Sequence, residues 1–129
     1  MKVSIIIRTK NEEKWLPYCL EMISRQDYQD FEVILVDNKS DDNTIAIAKR
    51  FNVNQIIEID KFIPGLALNM GIRASTGNFI VCLSAHCVPK DENWLSKLYA
   101  NFDNPDVAGV YGRQLPINST DPVDKRDLL

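Results

Sequence analysis

The sequence predicts an α/β fold, a Rossmann-like three-layer α/β/α sandwich around a mostly parallel sheet. Short β-branched runs alternate with amphipathic segments of about ten residues, and turn-forming residues punctuate each change. Val3-Ser4-Ile5-Ile6-Ile7 and Phe31-Glu32-Val33-Ile34-Leu35-Val36 are near-continuous apolar runs, the pattern of strands covered on both faces. Strands joined by helices need crossover connections, and those run right-handed between parallel neighbours.

The elements follow in order. After the first strand, Glu13 to Arg25 sets Leu16, Cys19, Leu20 and Ile23 at helical spacing, with acids at its start and Arg25 at its end. The second strand stops at Asp37-Asn38-Lys39-Ser40. Ser40-Asp41-Asp42-Asn43 then offers side-chain oxygens to cap a helix from about Thr44 to Phe51. Gln55 to Ile59 reads as a short third strand. Pro64-Gly65 opens a helix that runs to Ala74 and is terminated by Gly77. Phe79 to Leu83 is a fourth strand, Glu92 to Phe102 a helix, and Val107 to Tyr111 a fifth strand. The stretch from Ile117 to Leu129 is polar and without periodicity.

Bulk properties narrow the function. A chain of 129 residues is one domain's worth and can bury a core. A net charge of −3 excludes a basic footprint, so nucleic acid is not expected as a partner. No apolar run approaches a membrane span, and the apolar start is short and cut by Arg8, unlike a signal peptide. Cys19, Cys82 and Cys87 are odd in number and irregular in spacing, which fits buried thiols in a reducing compartment. The expectation is a cytoplasmic protein, peripheral at most at the inner face of the membrane; no oligomeric state is implied.

In parallel sheets ligands sit beyond the carboxyl ends of the strands. Four segments should therefore share one edge: Thr9 to Glu12, Asp37 to Ser40, Asp60 to Gly65, and Ser84 to Cys87. In the first, Thr9, Asn11 and Glu12 can hydrogen-bond a base or ribose; equally, Asn11 can cap the following helix. In the second, Asp37 can accept from a base imide or ribose hydroxyls, with Asn38 and Ser40 beside it, or it can cap the turn. Gly65 allows close backbone approach to a ligand, and Asn69 one turn on is either a ligand contact or a solvated side chain. In the fourth, Ser84, Ala85 and His86 follow a buried strand and suggest a phosphate or metal site. His86 otherwise reads as an ordinary surface or core histidine. Cys82, His86 and Cys87 lack the spacing of structural zinc.

Taken together and in order, Ser4 to Glu13, Phe31 to Thr44, and Gly65…Asn69-Met70-Gly71…Gly77-Asn78-Phe79-Ile80 resemble the family 2 inverting glycosyltransferases of the GT-A fold. The resemblance runs from Val3 to about Arg113, with Val110 to Gln114 similar to the strand and loop of rhamnosyltransferase-like members. It implies transfer of a sugar from a nucleoside-diphosphate sugar to a sugar or glycolipid acceptor of the cell surface, with inversion. It also implies that residues 1–129 are the single nucleotide-sugar-binding domain, with the acceptor-binding part and the catalytic base beyond Leu129. Thr9, Glu12 and Asp37 match the residues that hold the nucleoside, and Asn69 lies in the segment facing the diphosphate and sugar. Arg8 stands where the family usually has proline, and Lys10 where an aromatic often stacks on the base. The family's Asp-x-Asp, which holds Mg²⁺ or Mn²⁺, reads Ser84-Ala85-His86 here. His86 alone could ligate a metal there, or it could bind a phosphate or hydroxyl directly; Lys10 or Arg73 could neutralise the diphosphate. The alternatives are a non-catalytic nucleotide or sugar-phosphate binding module, and a nucleotidyltransferase, whose Gly-rich basic loop Thr9-Lys10-Asn11-Glu12 does not resemble.

Overall fold

The computed structural model describes residues 2–61 and 63–122. Its contacts divide the chain into two compact units, residues 1–95 and residues 96–129. The first holds β1 (Val3–Thr9), α1 (Leu16–Ser24), β2 (Phe31–Asp37), α2 (Thr44–Arg50), β3 (Gln55–Glu58), α3 (Pro64–Ala74) and β4 (Phe79–Ser84). The four strands are parallel in the order β3-β2-β1-β4. Register aligns Thr9 with Asp37, Asp37 with Glu58, and Arg8 with Ser84, so the strands end together.

This order dictates the layers. The chain steps outward from β1 through β2 to β3, then returns across the sheet to β4, so right-handed crossovers put α1 and α2 on one face and α3 on the other. Alternation along β1 and β2 then divides the apolar side chains. Ile6, Ile34 and Val36 pack with Ile59 and Ala67 under α3. Ile5, Ile7, Val33 and Leu35 point to the opposite face, where α1 presents buried Leu16, Cys19, Leu20 and Ile23 and α2 presents Ile47 and Ala48. The helix α3 lies close to the sheet at Gly71, where a Cβ would meet Ile6 Cγ2 at 2.3 Å.

Several details differ from the sequence expectations. The helix α1 begins at Leu16 rather than Glu13, because Glu13 is engaged by the loop before α2. Gly77 does not end α3; Ser75 does, in extended backbone. The demand for glycine at 77 is steric, since a Cβ there would sit 2.5 Å from Ser4 Oγ and 2.7 Å from Ser4 N. Cys82 is exposed and Cys87 half-buried, so only Cys19 is a buried thiol, and burial beside Cys87 and Glu12 pushes its pKa up to about 12. The expected helix from Glu92 is α4 (Trp94–Tyr99) followed by a 3-10 turn, Ala100–Asp103.

The fifth strand expected at Val107 to Tyr111, with the strand-like Val110 to Gln114, is irregular chain. A strand exists through its ladder, yet Val107 N–H turns back onto Asn104 O and Tyr111 is 94% exposed. Gly109 and Gly112 further weaken an extended pairing segment. Of the polar stretch from Ile117, residues 123–129 lie outside the described residues. Among the described residues, no helix is long and apolar enough to cross a membrane.

Two buried polar groups invisible to periodicity fasten this frame. Gln26 donates to Met22 O and Asp91 O and accepts from Leu95 N–H, tying the end of α1 to the segment before α4. At the amino edge of the sheet, Glu32 accepts from Ser4 Oγ (2.6 Å), Thr76 N (2.7 Å), Thr76 Oγ1 (2.9 Å) and Lys2 Nζ (3.1 Å). Burial by itself would raise the Glu32 pKa. The hydrogen bonds outweigh it and bring the group from 4.5 down to about 2.

A carboxylate with a lowered folded pKa binds fewer protons folded than unfolded, so its stabilisation is complete above the unfolded pKa and is lost as pH falls toward the folded one. The stability gap between wild type and Glu32→Gln, measured by urea unfolding, should therefore be widest at neutral pH. It should close between pH of about 5 and about 2. A gap independent of pH would show that Glu32 acts through packing alone.

Candidate functional site

The four post-strand segments follow the carboxyl ends of parallel strands and so share one edge. The first two are interlocked. Thr9 Oγ1 donates to Asp37 Oδ1 at 2.7 Å, and Asn38 N–H donates to Thr9 O at 3.0 Å. Asp37 Oδ1 also accepts from Ser40 Oγ (2.6 Å), and Oδ2 accepts from Ser40 N–H (2.7 Å). Further out, Asn11 N–H donates to Ser40 Oγ (2.8 Å) and Asn11 Oδ1 accepts from Asp41 N–H (3.0 Å). Glu12 N–H meets Thr44 Oγ1 at 2.8 Å, and Glu13 Oε2 accepts from Asn43 N–H (3.1 Å) and Nδ2 (2.9 Å). Asn11 and Lys39 adopt left-handed backbone, φ 53° and 48°, which a non-glycine residue holds only when its surroundings fix it.

This arrangement revises two expectations. Asn11 does not cap α1, for its side chain bonds the opposite loop; α1 starts instead with Leu16 N–H on Glu12 O. Capping before α2 comes from Asp42 Oδ1 on Thr44 N–H. Asp37 is 0% exposed, its oxygens spent on Thr9 and Ser40, so it shapes the edge from beneath instead of presenting a free carboxylate. The third segment joins through an exposed ion pair, Lys39 Nζ to Asp60 Oδ1 at 2.5 Å, which raises the lysine pKa and lowers that of the aspartate.

Beside this clasp lies a cleft of about 320 Å³, lined by Arg8, Thr9, Lys10, Glu12, Pro64, Ser84 and His86. A turn closed by Cys87 N–H on Ser84 O carries Ala85 and His86. Ala85 is buried, which leaves Ser84 and His86 to flank the opening. His86 Nδ1 is 3.0 Å from Glu12 Oε1, and Ser84 Oγ lies 3.3 Å from His86 Nε2. Lys10 Nζ donates to Lys39 O at 2.8 Å and faces Asp41 at 3.4 Å. Arg8 was not singled out as a site residue by its sequence context, yet register beside Ser84 brings it into the cleft. Gly65 and Asn69 are exposed on α3, outside the cleft lining, and a Cβ at Gly65 would meet nothing within 4 Å. Folding therefore does not require glycine there. A larger concavity of about 450 Å³, lined by Glu13, Pro17, Asn43, Ala46, Ile47 and Arg50, lies along α1 and α2 and takes in none of the strand-end residues.

Comparison with known proteins gives the family and the fold. The family model described as Glycosyl transferase family 2 matches residues 4–129. The O-antigen chain rhamnosyltransferase RfbN of Salmonella typhimurium is 29% identical over 126 residues, covering 95% of this chain and 40% of the relative. Staphylococcus aureus TarS, solved with UDP-GlcNAc, superposes with a TM-score of 0.74 at 26% identity, covering 91% of this chain and 37% of that one. A mannosyltransferase from Pyrobaculum calidifontis, solved with GDP-Man and Mn²⁺, gives a TM-score of 0.77 at 24% identity, covering 98% and 37%. The chain spans about two fifths of the length of the curated relatives it matches.

The clasp makes a direct prediction. Asp37→Asn turns an acceptor into a donor facing Thr9 or Ser40, and should lower unfolding free energy by roughly 1–3 kcal/mol. Asp41→Asn, on the exposed rim, should cost clearly less than Asp37→Asn. Equal losses in urea titrations would deny Asp37 its structural part.

Proposed function

The chain belongs to glycosyl transferase family 2, and from that we propose that it binds a nucleoside-diphosphate sugar across the carboxyl edge of its sheet, for transfer of the sugar to a saccharide or glycolipid acceptor with inversion. The observation that carries this reading is the convergence of the β1 and β4 ends on one polar cleft beside the clasped loops. Residues 1–129 are assigned the donor-binding part, in keeping with their share of the relatives' length.

The clasped loops are assigned the nucleoside, with Asn11, Glu12, Asn38 and Ser40 at the surface and Thr9 and Asp37 holding them in place. Gly65, Asn69, Ser84 and His86 are assigned the diphosphate and sugar, while Ala85, 0% exposed, is not retained as a contact and only supports the turn that carries His86. In the reaction, an acceptor oxygen attacks the anomeric carbon as the bond to the diphosphate oxygen breaks. The electron pair leaves with the diphosphate, and the hydroxyl proton passes to a base that we assign outside these residues. Three free thiols fit a reducing compartment, and so the cytoplasmic face of a membrane.

A divalent cation fits this edge poorly. Mg²⁺ and Mn²⁺ take hard oxygen donors, usually with one or two carboxylates. Ser84 brings no charge, Asp37 is sealed, and Glu12 is engaged by His86. Among the described residues no three carboxylate, histidine or cysteine groups gather as a metal set. His86 is therefore not retained as a metal ligand.

The test is donor binding and turnover by the protein. Calorimetry with UDP-, dTDP- and GDP-sugars should find one preferred base. Asn69→Ala should weaken donor binding about tenfold, the scale of one lost polar contact, and Gly65→Ala should weaken it by placing a methyl group where the ligand approaches, neither lowering the melting temperature. Because the base is assigned outside these residues, donor should bind without turnover on any saccharide or glycolipid acceptor; turnover by residues 1–129 would place the base among them. Absence of binding by all three donors would overturn the proposal.

A further inference from the structure

The residues of the cleft that fit a divalent ion badly fit a diphosphate well. Arg8 occupies the penultimate position of β1, level with Ser84, the last residue of β4, so the two stand side by side on one face of the sheet. That face is the one covered by α3, and Pro64 at the start of α3 completes the same cleft wall. Arg8 is half-buried, and among the described residues no carboxylate is paired with its guanidinium. The other cation of the lining, Lys10, is held against Lys39 O and Asp41. Among the described residues the carboxylate lining the cleft is Glu12, and it is met by His86. A half-buried guanidinium beside a hydroxyl, with no carboxylate paired to it among the described residues, is suited to receive an anion. Its planar fork matches two oxygens of a phosphate, and it is the cation that loses least on partial burial.

We propose that Arg8, with the Ser84 hydroxyl beside it, binds the donor's diphosphate directly and takes the charge-neutralising part that a divalent cation would otherwise play. The proposal rests on the donor-binding function proposed above. Arg8 would neutralise the charge that builds on the leaving diphosphate oxygen as the anomeric bond breaks. His86, 3.0 Å from Glu12, holds the lining's carboxylate in place at the edge of the same cleft. Lys10 keeps the nucleoside loops together from the rim.

Calorimetry of UDP, dTDP and GDP, each beside its nucleoside, separates the possibilities. The preferred diphosphate should bind equally well, within about twofold, in EDTA, in Mg²⁺ and in Mn²⁺. Arg8→Ala should weaken the diphosphate about 10–100-fold, as expected for a lost charged hydrogen bond, and leave the nucleoside's affinity unchanged. Arg8→Lys should recover part of the loss, since the charge returns without the fork. Thermal melts of both variants report whether the fold survives, and the nucleoside titration reports whether the adjoining loops do. Diphosphate binding that needs Mn²⁺ or Mg²⁺ would overturn the proposal and leave donor binding standing. So would an Arg8→Ala protein that binds diphosphate like wild type. Failure of every nucleoside and diphosphate to bind would overturn the donor-binding function, and this proposal with it.

Discussion

The hydrogen bond between Thr9 and Asp37 is the constraint on which the rest of the edge depends. It joins the last residues of two neighbouring strands where their ladder ends. A buried carboxylate must be paired, and here the available donors are the Thr9 hydroxyl and the amide and hydroxyl of Ser40. Satisfying Asp37 thus folds the 37–40 turn back on itself. Ser40 is then placed to meet Asn11, and the contacts run on through Asp41, Asn43 and Thr44. Two loops that would otherwise fray become one wall. Its cost is visible in the left-handed backbone at Asn11 and Lys39.

Behind the wall, the parallel register does the remaining positioning. Because β1 is central, its last residues are flanked by β2 on one side and β4 on the other. Thr9 faces the clasp while Arg8, one residue earlier and so on the opposite face, turns toward the α3 side and Ser84. Adjacent residues of one strand therefore face different parts of the carboxyl edge. The amino edge is held independently by Glu32, Ser4 and Thr76, so the frame does not depend on the ligand edge for its order.

Much of the frame was legible because it is written in periodicity. The apolar runs at 3–7 and 31–36 have no other plausible home than a sheet covered on both faces, and the strand-end rule then brought four polar segments to one edge. What escaped the sequence is long-range polar pairing. Asn11 beside two acids resembles a helix cap, and only the approach of Asp41 shows that its partner lies thirty residues away. Gln26 and Glu32 are polar letters in amphipathic or apolar runs, and their burial depends on partners far along the chain. Val107 to Tyr111 failed for the opposite reason: strand-like letters specify a strand only where a neighbour supplies the ladder. Arg8 was read as a departure from a pattern; register places it beside Ser84 in the cleft lining.

The central claim is that the clasped loops and the adjoining cleft together form the ligand edge. Amide chemical-shift mapping during a titration with UDP, dTDP or GDP tests it most directly. The account predicts shifts concentrated at residues 8–12, 37–41 and 84–86, with the amides of Ala46 and Arg50 along the larger concavity unmoved. Shifts centred on Ala46 and Arg50, with the strand ends silent, would contradict it.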